Sequence, residues 1–221
     1  MRYHSTVLGD PLLALKPLVL TREGPTALLR LNQPRASNAI TPDLAQELRE
    51  ACLDLNQEDD LRVVIITGTG GTFSRGRETF PESLASVESP AQARWLEDLR
   101  VASAMEGLRV PTIAALNGLA YGGGAVMASS FDIRVGCERT SFKFLAASYG
   151  RVNSTWSLPM QVGWPVAKDL LLTAREVGAD EAYRVGLLNH LVPAEELMSK
   201  GMELARQITA NDPRMVQGIK E

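Results

Sequence analysis

VPTIAALNGLAYGGG, residues 110–124, couples a buried-strand pattern directly to a glycine-rich turn. Within it, TIAAL (112–116) shows no polar alternation, as expected of a strand covered on both faces. Gly122–Gly124 follow, and then the small-residue helical pattern AVMASS. Glycine lets backbone N–H groups turn outward and lets a ligand approach the chain closely. The start of a helix adds N–H donors without intrahelical acceptors and a partial positive charge. The same construction appears upstream, where the β-branched run VVIIT (63–67) meets GTGGTFSRGRE (68–78). Strands ending in such turns at one sheet edge would aim both donor sets at a single crevice. Its natural ligand is a phosphate or a developing anion. Either loop alone also fits an ordinary tight turn.

Outward from these strands, LVLTR (18–22) and TALLRL (26–31) flank a Gly-Pro break and read as a hairpin. Thr41-Pro42 opens a helix with Leu44, Leu48, Cys52 and Leu55 on one face. Ser89-Pro90 opens a second, carrying Trp95, Leu99, Ala102 and Met105. DIRVG (132–136) is a further strand, its Asp132 reading as a strand anchor. Helical patterns follow around 165–174, 179–186 and 194–210, and Asp212-Pro213 begins a last helix. The order is that of an α/β layer with parallel strands and crossover helices. We expect an N-terminal extension over 1–16, a core over 17–190 and a C-terminal helical segment over 191–221.

The 221 residues suffice for one substantial core, and 45% apolar with 22% charged residues is ordinary for a soluble globular chain. The net charge is −3 with scattered Lys and Arg, which argues against a nucleic-acid surface. Two cysteines, Cys52 and Cys137, build neither a disulfide framework nor a four-cysteine metal site. With only His4 and His190 present, His-based metal centres and Ser-His-Asp triads are disfavoured by count, and His190 beside Leu187 and Leu188 reads as structural. No metal, no membrane span and a cytoplasmic setting are expected. A P-loop is excluded by its missing lysine, and a dinucleotide fingerprint by its spacing.

Five ordered motifs resemble the crotonase (enoyl-CoA hydratase/isomerase) superfamily. They are LNQPRASNAIT (31–41), FSRGRE (73–78), VPTIAALNGLAYGGG with FDIRVG (131–136), TWSLPMQVG (155–163) and ADEAYRVGLLNHLVP (179–193). The resemblance covers about residues 17–220 and implies a crotonase-like α/β fold: ββα repeats in a spiral of parallel strands with a helical C-terminal portion. It implies an acyl-CoA thioester whose carbonyl oxygen is held by two main-chain amides, here Arg77 and Gly123, which stabilise an enolate. It also places Arg35, Ser37, Asn38 and Ala39 along the CoA, mainly through their backbone. Coenzyme A enters as part of the substrate and no tightly bound cofactor is implied. The implied assembly is a homotrimer or hexamer.

The chain departs from the family where hydratases carry two glutamates, because Val126 and Ala146 stand there. Neither side chain carries a proton. A third position, an aspartate in some isomerases, falls at Asn153 or Ser154. Tyr149 is the leading substitute acid or hydrogen-bond donor, with Tyr121, Glu78, Glu82 and Glu88 behind it. The C-terminal segment looks short for the family. An acyl-CoA enzyme with relocated acid/base groups and a catalytically silent acyl-CoA binder therefore both remain open.

Overall fold

Gly24 and Pro25 form the two-residue turn of the first hairpin in the computed structural model, which describes residues 16–77, 104–150 and 152–221. Gly24 takes φ +56°, the left-handed conformation that a tight hairpin turn favours. The strands, in chain order, are β1 (Leu18–Glu23), β2 (Thr26–Leu31), β3 (Val63–Gly68), β4 (Thr72–Ser74) and β5 (Thr112–Leu116). They continue with β6 (Leu119–Tyr121), β7 (Ile133–Gly136), β8 (Ser141–Lys143), β9 (Glu176–Gly178) and β10 (His190–Leu191).

Six strands form one sheet in the order β1-β2-β3-β5-β7-β10, parallel except for the opening hairpin. Four short strands form a second sheet, β4-β6-β8-β9, parallel except at β8–β9. Each of β3, β5 and β7 passes through a short turn into β4, β6 and β8 respectively, so the chain climbs as a two-sheet spiral. This is the crotonase-like α/β architecture expected above. The stretches around 68–78 and 117–124 are more than turns, since they hold β4 and β6. Three-residue strands are too short to produce a periodic pattern.

Helix α1 (Pro42–Leu55) is capped as its sequence requires: the Leu44 N–H donates to Thr41 Oγ1 at 3.2 Å, and Pro42 takes the first position. Its Leu44, Leu48, Cys52 and Leu55 are buried, and burial pushes the Cys52 thiol up to about 12. Further helices among the described residues are α2 (Gly123–Ser129), α3 (Ser157–Val162), α4 (Trp164–Thr173), α5 (Ala179–Arg184), α6 (Leu197–Thr209) and α7 (Pro213–Lys220). The helix expected after Ser89-Pro90 lies outside the described residues, apart from a helical stretch at 104–106 whose Met105 is buried.

Strand alternation sorts the core into two layers. Val64, Ile66, Ala114 and Leu116 face the α1 side, with Phe73 and Phe142 of the second sheet. Val63, Ile65, Ile113, Ala115 and Val135 face Leu197, Leu204 and Ala205 near or within α6. The C-terminal portion is thus integral to the core, and the division expected between 190 and 191 falls inside β10. Asp132 is the strand anchor expected of it: one carboxylate oxygen accepts the Thr112 N–H and Oγ1–H at 2.7 Å and the Lys220 ammonium at 2.6 Å.

Arg134 is buried, with Nε donating to Leu187 O at 2.7 Å and Nη1 to Phe131 O. Burial lowers its pKa to about 10, against the opposing pull of Asp132. Arg134→Met would strand both carbonyls, so a loss of about 2–4 kcal/mol is expected in urea unfolding, read as a lower midpoint at unchanged slope. His190 is half-buried, and desolvation first, then the nearby Lys200 charge, hold its pKa below the usual histidine value, with Glu203 opposing. A histidine depressed in the folded state contributes stability above its unfolded pKa and loses it as the pH falls below about 6.5. Unfolding midpoints measured from pH 7.5 down to 5.5 should therefore fall less steeply in His190→Gln than in wild type.

Candidate active site

The loop between β2 and α1 turns sharply because Ser37 and Asn38 both take the left-handed conformation, at φ 50° and 49°. Asparagine tolerates that region better than most residues. Asn38 is fully buried, and its amide is saturated: Oδ1 accepts Gln33 N–H at 2.9 Å, while Nδ2 donates to Thr69 O at 3.0 Å and Thr72 O at 2.7 Å. The side chain therefore ties the 33–40 loop to the glycine-rich stretch after β3.

The tie continues through Ser74, which is also fully buried. Its hydroxyl donates to Asn38 O at 2.7 Å and accepts the Gly76 N–H at 3.1 Å. Arg75 N–H donates to Ser37 O at 3.0 Å, and Ile40 N–H to Gly76 O at 2.9 Å. Segment 74–77 is thus held along its length by the 37–40 loop, with an isolated parallel bridge between Ile40 and Arg77.

This held segment lies against the triple glycine. Gly76 sits at φ +80°, and a Cβ built there would come within 2.7 Å of the Gly123 nitrogen. A Cβ on Gly124 would meet the Ser74 Cβ at 2.9 Å. Only glycine permits the two segments to approach this closely. From Gly123, the position of a Cβ lies 3.7 Å from the Arg77 nitrogen. The main chain at Arg77 and at Gly123, two sequence-predicted positions 46 residues apart, is therefore brought to one place at the ends of β4 and β6. Gly123 is the first residue of α2, where the N–H has no acceptor within the helix.

Of the residues expected along the CoA, only Arg35 is exposed; Ser37 is half-buried, and Asn38 and Ala39 are buried. The N–H groups of Ser37, Asn38 and Ala39 donate to Pro34 O, Gln33 O and Ala36 O at 2.9–3.1 Å. These three amides are taken up in shaping the loop. Tyr149 ends a short 3-10 turn over Ala147–Tyr149 and is 59% exposed. Val126 and Ala146 are half-buried. Ser154 is buried at φ 54°, and its Oγ, like Asn153 Oδ1, has no hydrogen-bond partner among the described residues.

Tyr121, half-buried beside the triple glycine, accepts from Ser141 Oγ at 3.3 Å, and desolvation raises its pKa above the usual phenol value. Glu78, Glu82 and Glu88 lie outside the described residues. Among the described residues no group of His, Cys, Asp and Glu is arranged to hold a metal ion, and no helix is long and apolar enough to cross a membrane. The Asn38 side chain and Ser74 were missed as site residues in the sequence. A signal for Asn38 existed in the tolerance of asparagine for left-handed turns, whereas nothing marks Ser74.

A two-sheet spiral with two glycine-bounded loops meeting at one point defines a class that the comparisons resolve. The family model described as Enoyl-CoA hydratase/isomerase matches residues 21–221, and the chain belongs to that family. It is 33% identical over 201 residues to a crotonyl-CoA hydratase of Syntrophomonas wolfei subsp. wolfei, covering 89% of this chain and 76% of the relative. It is 35% identical over 199 residues to 4-chlorobenzoyl coenzyme A dehalogenase-2 of an Arthrobacter species, covering 87% and 72%. The crystal structure of an enoyl-CoA hydratase from Bacillus anthracis superposes with a TM-score of 0.83 at 30% identity, covering 92% of this chain and 81% of that one.

Removing the Asn38 amide would leave buried partners on both loops. Asn38→Ala should cost about 3 kcal/mol or more in denaturant unfolding. Asn38→Gly loses the same bonds without left-handed strain, so it should be more stable than Asn38→Ala by about 1 kcal/mol.

Proposed function

We propose that this protein binds acyl-CoA thioesters and acts on them by stabilising an enolate, with the thioester oxygen received by the amides of Arg77 and Gly123. The observation that carries this reading is the 3.7 Å between the Arg77 nitrogen and the Cβ position of Gly123, in a chain of this family. Two donors aimed at a developing oxyanion are typically worth a few kcal/mol each, because they need no reorganisation as charge forms. Arg35, exposed on the loop that shapes the site, is the residue we assign to a CoA phosphate.

The reaction differs from two-glutamate hydration. Orienting water and protonating the α-carbon both need ionisable groups, and Val126 and Ala146 have none. Tyr149 is the proposed proton donor, and Asn153 Oδ1 and Ser154 Oγ, both without a hydrogen-bond partner among the described residues, supply polar atoms for the acyl portion. The chemistry is that of an acyl-CoA enzyme whose acid/base groups have moved. Assembly into a homotrimer or hexamer, which the family resemblance implies, is supported by exposed Trp156 just before α3, Met160 on α3, and Trp164 and Leu172 on α4.

Two substitutions at one position test the amide. Gly123→Ala meets only ordinary contacts, the nearest being Ile40 Cδ1 at 3.4 Å, and keeps the N–H. Gly123→Pro removes the N–H at a helix position that accepts proline. Acetoacetyl-CoA affinity should persist in the alanine variant and fall by about 100-fold in the proline variant. Equal affinity in both folded variants would refute the oxyanion reading. In parallel, crotonyl-CoA should be hydrated at no more than about a hundredth of a typical family turnover, since each missing acid/base group removes about 10²-fold or more.

A further inference from the structure

At the opposite edge of the six-stranded sheet, where β3 and β5 begin, a cavity of about 140 Å³ opens under the start of α7. Arg62, Arg109 and Arg214 line it, together with the acid Asp59. The neighbouring acids are already engaged: Arg22 pairs with Glu58 and, at 3.2 Å, with Asp60. Arg62 Nη1 donates to the carbonyls of Asp59 and Leu61 at 2.8 and 2.9 Å, and Arg109 Nη2 reaches Glu58 O at 3.4 Å. Two guanidinium groups are thus gathered on the carbonyls of one short loop, and neither forms an ion pair among the described residues. Arg214 pairs with Asp212 at 3.7 Å, and that carboxylate also caps α7 through the Arg214 N–H.

Arg109 and Arg214 are exposed and Arg62 is half-buried, so their remaining N–H donors face the cleft and the solvent, and three like charges gathered at one cleft attract an anion. A guanidinium fork matches the oxygens of a phosphate group better than a lone chloride. The volume suits a single phosphate group and is below that of a pocket for a whole drug-sized molecule. We propose that this cleft is a second ligand site, for a phosphate group held by Arg62, Arg109 and Arg214. The phosphate is free or belongs to an ester whose remainder stays in solvent. Since the cleft is bounded by β3, β5 and the α6–α7 region, occupancy would brace the C-terminal helices against the sheet and raise stability by mass action.

The site is separate from the acyl-CoA reading and is tested separately. Inorganic phosphate and phosphoethanolamine are titrated calorimetrically at low ionic strength into wild type and into Arg62→Gln/Arg109→Gln. Arginine Nε shifts are followed by NMR in wild type. One saturable site is expected, with shifts at Arg62, Arg109 and Arg214 and about tenfold or greater weakening in the double variant. Acetoacetyl-CoA affinity should be the same in both proteins. Tighter binding of the ester assigns an esterified ligand; tighter binding of phosphate assigns the free ion. Absence of saturable binding, or affinity unchanged in the double variant, overturns the proposal. Should the double variant not fold, Arg214→Gln and the wild-type shifts decide by the same criteria.

Discussion

One buried amide holds the candidate site together. Asn38 accepts one N–H from its own loop and donates to two carbonyls of the segment after β3, and its carbonyl takes the hydroxyl of Ser74. Ser74 in turn orders Gly76, whose lack of a side chain lets 74–77 rest against Gly122–Gly124. Every link lies within 3.1 Å, and the two made by the Ser74 hydroxyl are buried. A buried donor or acceptor left unpaired costs more than a typical hydrogen bond contributes. The separation between the main chain at 77 and at 123 is therefore fixed by polar saturation and by the absence of two methyl groups, not by apolar packing alone.

The surrounding fold makes that arrangement possible. Because β3, β5 and β7 each feed a short strand of the second sheet, loops distant in sequence emerge side by side. Apolar layers on both faces of the long sheet keep those strands in register, and α6 supplies the cover on one of them. Asp132 ties a strand end to α7 and the Arg134 guanidinium ties another to Leu187 through charged hydrogen bonds, and the Arg134 N–H adds a neutral one to Asn189 Oδ1. Such groups are costly to break and add directional restraint that packing lacks.

Much of this was legible in the chain. The runs VVIIT and TIAAL declare covered strands because they lack polar alternation, and Thr41-Pro42 declares a helix start because both residues suit its first positions. The short strands β4, β6, β8 and β9 escaped, since three residues carry no usable period. Ser37, Asn38 and Ala39 were legible as a motif, but the bonds that their amides and the Asn38 side chain make within the protein were not. Local sequence cannot distinguish a polar group facing a ligand from one facing a neighbouring loop. Ser74 illustrates the same limit, because its partners lie 36 and two residues away in opposite directions.

The direct measurement is the thioester carbonyl stretch of acetoacetyl-CoA, carbon-13 labelled at the thioester, by infrared difference spectroscopy in water and bound to the protein. If the main-chain donors at Arg77 and Gly123 polarise that oxygen, the band must move to lower frequency on binding. A bound ligand whose carbonyl band stays at its position in water would contradict the account.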